Sequence, residues 1–470
     1  MDRERLLSMP TECGANILQR NLADAIILMK PLDEIRILLA CGAKVNEMVT
    51  QGLFPLHYAV WQKNMDAVHL LLVRGADVNA VDDCGYSALH LCSEHGYVEI
   101  AKLLIENGSK IDFREPTDEL YPRTMLSDEP LRLALKNRNY DMARLLLENG
   151  ADPNKRYFLG AEISLVSDIE SLELLLNYGA QTESRCRSGM TPLMRACRYN
   201  YGTEQVLLLL KHGADVNAIA DHRNDYRTVL HYAVLSGNLS LVNLLLKRGA
   251  ETDRLPPNGE SDKPSPLMIA ILRGDPAIVR CLLEAGANIN RSSSIIGSPL
   301  HVACADNIPH RIEIMKMLLS YGSDPNVRIP SETGGNSLRP PLAELLANSD
   351  TTTVEELLLL LKHGARVCMR TQFRDPDGLL NCLRNVPSYS RVFEILLETA
   401  ENFDIAMIKR NLHLTDIQRK KLIQKAKTPI PLKHALRTHF RLAFGRTIPE
   451  KVPLLFIPET LRSYLLCEHN

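Results

Sequence analysis

One phrase recurs along this chain and restricts its possible folds more than any other feature. It reads LLLVRGADVN up to Asn79, LLLENGADPN up to Asn154 and LLLKHGADVN up to Asn217. Weaker copies are ILLACGAKVN, LLIENGSKID, LLLNYGAQTE, LLLKRGAETD, LLEAGANIN, LLSYGSDPN and LLLKHGARVC. Their glycines are Gly42, Gly75, Gly108, Gly150, Gly179, Gly213, Gly249, Gly286, Gly322 and Gly364. Gly42, Gly75 and Gly108 are spaced by 33 residues, whereas later intervals scatter, with 42 before Gly150 and 29 before Gly179. Such self-similarity implies a stack of small units, each burying its apolar face only against its neighbours.

A second phrase precedes the first in most periods: FPLHYA at Phe54, SALHLC at Ser87, TPLMRA at Thr191, TVLHYA at Thr228, SPLMIA at Ser265 and SPLHVA at Ser298. Ser or Thr suits the N-cap of a helix, where its oxygen accepts from an unpaired backbone N–H. Proline at the first helical position gives up a donor that had no partner. The leucine run supplies the buried stripe of a second helix. The glycine after it suits the left-handed position that closes a helix, and Asp and Asn suit the turn beyond. Helix, tight turn, helix and projecting turn in about 33 residues is the ankyrin period. The chain resembles the ankyrin family from about residue 11, and residues 1–405 are expected to form an all-α solenoid of about ten repeats. A degenerate eleventh is expected at Ile395–Asp404, with Ala400 in the glycine's place.

The irregular periods mark two long polar insertions, DFREPTDELYPRTMLSDEP after Ile111 and IPSETGGNSLRPP from Ile329. Both read as extended loops, either neutral insertions, which surface turns tolerate at small entropic cost, or binding loops. Before Gly179, ISLVSD stands where the first-helix phrase belongs, so that helix is expected to be clipped.

The bulk numbers narrow the function. Lys and Arg number 55 against 56 Asp and Glu, so no basic excess points to nucleic acid. The leucine runs fall far short of the ~20 apolar residues of a membrane span. MDRERLLSMP has no apolar signal region, and Asp2 excludes N-myristoylation. The 11 cysteines are scattered without a C-x-x-C pair or zinc spacing, as expected of reduced thiols in a cytosolic or nuclear protein. No nucleophile elbow, phosphate loop, metalloprotease motif or carboxylate pair occurs, so neither an enzyme nor a cofactor or metal is expected. His57, His90, His231 and His301 hold the same place in the repeat phrase, which fits a structural hydrogen-bonding role. Residues just after the first-helix core are the candidates for contact with a target protein: Trp61 with Gln62, Glu94 with His95, and Arg198 with Tyr199. Trp61 is the only tryptophan, and exposed Trp and Arg are common interface anchors.

After Asp404 the phrase disappears. Residues 406–428 form a basic amphipathic stretch suited to capping or linking. Then comes PIPLKHALRTHFRLAFGR. Leu432, Leu436, Phe440 and Phe444 are spaced by four, so they share one helix face, and such an apolar stripe suits a partner groove. Pro449, Pro453 and Pro458 break the chain that follows, and a short helix at about Glu459–Leu466 carries Leu461, Tyr464 and Leu465 on one side.

A helix, a proline-broken linker and a final helix with Y-L-L, placed behind an ankyrin array, resemble a SOCS box. Residues 429–470 are therefore expected to be one, and the whole chain is similar to the ankyrin repeat and SOCS box family. The resemblance matches Pro431 and Leu432 to the opening of the adaptor element, Leu436 to a place usually held by Cys and Phe440 to an aliphatic place. It implies that Leu432, Leu436, Phe440 and Phe444 bind elongin C, with elongin B behind it. It implies that Leu455, Ile457, Pro458, Leu461, Tyr464 and Leu465 contact cullin five with its RING partner, Phe456 standing for the first proline of that element. The chain would then be the non-catalytic substrate receptor of a ubiquitin ligase, leading to ubiquitination and degradation of an unknown target. The alternative is an ankyrin adaptor without a ligase link, whose tail only caps the stack.

Overall fold

The computed structural model describes residues 17–50, 52–113, 128–157, 159–255, 263–305, 307–329, 338–348, 352–369 and 379–468. Most of the two polar insertions and the N-terminal MDRERLLSMP lie outside them. The chain divides into two compact units, residues 1–196 with 201–215, and residues 197–200 with 216–470.

The first unit is a series of antiparallel helix pairs: Ile17–Ile27 with Leu32–Ala40, Pro55–Trp61 with Met65–Val73, Ala88–His95 with Val98–Glu106, and Pro130–Lys136 with Tyr140–Glu148. At the fifth place a three-residue 3-10 turn, Glu162–Ser164, stands where the other repeats have a first helix, followed by Ile169–Asn177. The clipped helix read from ISLVSD is thus present as a single turn. The second unit repeats the design in Val229–Ser236 with Leu239–Lys247, Pro266–Arg273 with Pro276–Glu284, Pro299–Cys304 with Arg311–Ser320, and Pro341–Asn348 with Val354–Lys362.

The leucine run buries its inward side completely: Leu71, Leu104, Leu146, Leu245, Leu282, Leu318 and Leu360 have no exposed surface. The helix then ends on a glycine with positive φ, +80° at Gly75 and +87° at Gly213, a conformation a Cβ would make costly.

Two kinds of polar side chain join neighbouring repeats. The Asn that closes the glycine phrase reaches into the next repeat. Asn46 Nδ2 donates to the Gly75 carbonyl (2.8 Å), and Asn46 Oδ1 accepts from the Asp77 amide (2.8 Å). Asn79, Asn154, Asn217 and Asn326 repeat the pair of bonds one glycine further on. Helix-end carbonyls that would otherwise lack partners are satisfied in this way.

The repeat histidine does the corresponding work at the start of the first helix. In His231, Nδ1 accepts from the Thr228 amide (3.0 Å), which leaves Nε2–H to donate to the Pro264 carbonyl 33 residues on (3.2 Å). His57 and His301 bond in the same manner to the carbonyls of Tyr86 and Arg339. A second proton on Nδ1 would face an N–H donor in a dry site, and burial pushes His231 down to about 4. The unfolded chain, with a His pKa near 6.5, therefore takes up the proton first. His231 stabilises the fold fully above pH 6.5, and the contribution is lost as pH falls towards 4. That loss is about 3 kcal/mol at about 1.4 kcal/mol per pKa unit. Urea unfolding of wild type and His231→Asn should show a stability gap that narrows by about this amount across that window. A gap independent of pH would rule the assignment out.

The eleventh unit is present as Leu379–Cys382 and Arg391–Thr399. It ends at Ala400 with φ −59° rather than in a left-handed glycine. The chain runs on into Asn402–Phe403, which pairs in parallel with Cys368–Met369. Ile405–Arg410 and Asp416–Lys427 follow. The buried Gln418 amide donates to the carbonyls of Leu383 and Val386, both at 2.8 Å, and so closes the last repeat.

Candidate docking sites

The helix Leu432–Phe444 starts after Pro431 and ends at Gly445. Its expected apolar stripe does not act as a single face. Leu432 is 86% exposed, while Leu436 is half-buried. Phe440 and Phe444, with ring centroids 5.2 Å apart, are half-buried against a cluster of the tail's own Ile448, Val452, Leu465 and Leu466, joined by Ile457. Of the four, Leu432 is the one fully presented to solvent, and Phe440 and Phe444 are partly covered by the tail itself. The proline-broken segment folds back, and two of the four anchors are used to hold it.

Sequence reasoning missed the other face. His434, Arg437 and Arg441, spaced by three and four, are buried to 8%, 2% and 2% exposure. Arg441 donates to the Leu361 carbonyl (3.0 Å), to the Ala365 carbonyl and to the Cys467 sulfur (2.9 Å). It therefore satisfies the end of the Val354–Lys362 helix while tying down the C-terminal segment, as a cation at a helix C-terminus is placed to do. His434 Nε2 meets the Ala400 carbonyl at 2.8 Å, and burial holds its pKa below the usual histidine value. Arg437 lies 3.5 Å from the ring centroid of Tyr464, and Lys433 lies 3.9 Å from it. Burial pulls the Arg437 pKa down and pushes the Tyr464 pKa up.

Arg446 adds a bond to the Gly322 carbonyl (3.0 Å), and Lys362 pairs with Glu468 (2.8 Å). At Gly364 an added Cβ would collide with the Gly445 carbonyl, so the tail lies directly on the glycine that ends the tenth repeat. These contacts fix the tail to the last ankyrin repeats through backbone carbonyls. The H-x-x-R-x-x-x-R spacing was visible in the sequence, but charged residues at such spacing ordinarily form a solvated face.

Of the residues expected to contact a cullin, Leu465 is 2% exposed and belongs to the tail's cluster. Leu455, Ile457, Leu461 and Tyr464 are half-buried and Pro458 is exposed. The fully presented apolar groups are neighbours instead: Phe456 at 108% and Leu454 at 76% exposure.

The candidates for target contact fall in both units. In the first, Trp61 meets His95 edge-on with ring centroids 5.1 Å apart, and His95 stacks on Tyr97 at 5.4 Å. Gln62 and Glu94 flank them, both half-buried. In the second, Arg198 sits 5.6 Å from the ring of the exposed Tyr199. Among the described residues, no group of three or more His, Cys, Asp or Glu could hold a metal ion. No described helix is long and apolar enough to cross a membrane.

Repeated helix pairs with left-handed glycine ends and a stitching Asn define a class of repeat scaffold. A family model described as ankyrin repeats matches residues 22–115, 56–157, 163–256 and 254–329, and the chain belongs to the ankyrin repeat family. It is similar over most of its length to human ankyrin repeat and SOCS box protein 6, at 24% identity over 80% of each chain. It is also similar to human ankyrin repeat and SOCS box protein 16, at 27% identity over 74% of this chain and 75% of the relative. A putative ankyrin repeat protein of fowlpox virus is 29% identical over 34% of this chain. The chain spans about half, 47%, of that viral protein's length.

Proposed function

We propose that this chain is the non-catalytic substrate receptor of an elongin BC–cullin–RING ubiquitin ligase. It would hold a target protein on its ankyrin surface and the adaptor on its tail, so that the target is ubiquitinated and degraded. The observation that carries the reading is Leu432, a large apolar side chain left in solvent on the first turn of a helix whose opposite face is pinned to the stack. The similarity to SOCS box proteins over most of the chain supports it.

In this reading Leu432 and Leu436 meet elongin C, with elongin B behind it. Phe440 and Phe444 support that surface from beneath. The exposed Leu454, Phe456 and Pro458 with the half-buried Leu455, Leu461 and Tyr464 face cullin five and its RING partner. The chain would supply proximity and orientation, and no reacting group. Its place of action would be the cytosol or nucleus.

A second reading, an ankyrin adaptor without a ligase link, is favoured by one observation. Phe440, Phe444 and Leu465 are engaged in the tail's own cluster, as a simple end cap would require. Co-expression with elongins B and C separates the two. The ligase receptor retains both elongins through affinity purification and gel filtration, whereas a wild-type chain that emerges without them is an end-capped adaptor.

A further inference from the structure

The loop that joins Ile405–Arg410 to Asp416–Lys427 holds a leucine out in solvent. Leu412 is 92% exposed, yet the loop around it is not slack. The Asn411 amide donates to the Asn381 side-chain oxygen (2.6 Å), and Arg419 donates to the carbonyls of Asn411 (3.0 Å) and Leu414 (3.2 Å). Leu414 itself is buried. Pinned on either side, Leu412 is presented by the fold. The Ser388 and Thr415 hydroxyls, 3.0 Å apart, bring a second turn beside this loop, and on it Tyr389 is exposed. Folding gains nothing from a leucine and a tyrosine kept in water.

Cations surround this apolar tip. Between Ile405 and Arg446, 11 lysines and arginines stand against a single acid, Asp416, in a chain whose net charge is −1. Lys409 and Arg410 close the helix before the loop and are exposed. In the helix after it Gln418 and Leu422 are buried, and Lys420 lies on the open side. The Lys421 amine lies 4.9 Å from the Tyr389 ring centroid, and Arg384 is exposed just ahead of that turn.

The acids of the elements packed here are already engaged or distant. Asp416 pairs with Arg419 (2.8 Å), and Glu394 with Arg391 (3.2 Å). Asp404 and Glu398 stand at the far ends of their helices, Asp404 accepting from the Met407 amide. Arg384, Lys409, Arg410, Lys420 and Lys421 form no ion pair among the described residues. The uncompensated charge of the edge is therefore positive.

An apolar tip that projects from basic surroundings suits a soft anionic surface. The leucine can enter the acyl boundary while the cations stay among the headgroups. Single-stranded nucleic acid asks for open rings to stack on, and the Tyr389 ring already carries Lys421. An acidic peptide asks for a groove or a sheet edge, whereas this surface projects. We propose that the edge docks on a membrane surface of anionic phospholipid. Leu412 and Tyr389 enter the headgroup layer, and Lys409, Arg410, Lys420 and Lys421 face the lipid phosphates and carboxylates. The inference goes beyond the ligase reading and does not rest on it.

The test uses the full chain, sedimented with vesicles of phosphatidylcholine mixed with phosphatidylserine and, as control, with vesicles of phosphatidylcholine alone. The chain is expected to sediment with the anionic vesicles only, and less so as salt is added. Lys409→Glu with Lys420→Glu should weaken binding at least about tenfold. Leu412→Ser should weaken it about threefold or more at an unchanged melting temperature. Leu412→Trp should bind at least as tightly as wild type, since tryptophan favours the membrane interface. Its added emission should move to the blue on anionic vesicles, with wild type, whose one tryptophan is Trp61, as the reference. Equal sedimentation with neutral vesicles, undiminished binding by the charge-reversed chain, or a Leu412→Trp emission unmoved by lipid overturns the proposal. Full displacement from the vesicles by polyglutamate or by RNA at equal charge also overturns it, and assigns the edge to an acidic protein or to nucleic acid. Leu432 is untouched in all these chains, so elongin capture reads the ligase proposal separately.

Discussion

Leu432→Asp is expected to abolish retention of elongins B and C while leaving the melting temperature of the isolated chain unchanged. The side chain is 86% exposed on the first turn of its helix, and substitutions at such positions ordinarily move stability by no more than about 0.5 kcal/mol. At an interface the arithmetic is different. Burying a leucine contributes about 1.5–3 kcal/mol, and putting a carboxylate in its place adds the cost of desolvating a charge. Together these exceed about 3 kcal/mol, at least a hundredfold in affinity at about 1.4 kcal/mol per tenfold. Leu442→Asp is the control. Leu442 is also on this helix and 57% exposed, but it stands outside the proposed contact set and should leave retention intact. A Leu432→Asp chain that still carries the elongins at wild-type yield would remove Leu432 from the adaptor surface. If elongins bind and no cullin joins, Phe456 is the next position to change.

Arg441→Ala should release the tail from the stack. Arg441 is 2% exposed and donates to two backbone carbonyls and a sulfur. Its removal leaves the Leu361 and Ala365 carbonyls facing a cavity. Charge-assisted hydrogen bonds contribute about 1.5–3 kcal/mol each, and leaving a buried acceptor without a donor costs about 1–3 kcal/mol. Hydrogen exchange should therefore quicken throughout residues 432–468, while amides of the first unit keep wild-type protection. Arg441→Met is the informative partner variant. It restores volume without donors, so a tail that loosens as much in Arg441→Met as in Arg441→Ala is held by the hydrogen bonds, and one rescued by the methionine variant is held by packing. Unchanged exchange in both variants would show that Arg441 does not hold the tail. Elongin capture by a loosened tail, together with poorer ubiquitination of a bound target, is the expected functional signature, because proximity without fixed orientation is a weaker catalyst.

Much of the scaffold could be read from residues alone because repeat folds are local. The Pro-Leu opening of the first helix, the leucine run and the glycine that ends it each act within a few residues. Even the clipped helix at ISLVSD and the glycine-free eleventh repeat at Ala400 were visible as departures from a period. The stitching by Asn46 and its equivalents was not. The same residue also suits an ordinary turn, and its partner carbonyl lies about 29 residues away in another repeat.

The tail was legible in a different measure. A spacing of four placed Leu432, Leu436, Phe440 and Phe444 on one helix face, and the geometry of a helix alone guarantees that much. Periodicity cannot say which part of that face the chain keeps for itself. Pro449 and Pro453 lie in short helical turns that return Ile448 and Val452 beneath Phe440 and Phe444, leaving Leu432, Leu454 and Phe456 outside. Likewise, the charge pattern at His434, Arg437 and Arg441 is that of a wetted surface until the carbonyls of Leu361, Ala365 and Ala400 are brought against it.

The sequence by itself determined the repeat and its helix pairs, since those follow from short-range sterics and a hydrophobic period. Only the tertiary structure decided which residues of the last forty are core, which are pins and which are presented. That division depends on which buried donors find carbonyls and which apolar groups find one another, and a buried donor such as Arg441 finds its carbonyl 80 residues away along the chain.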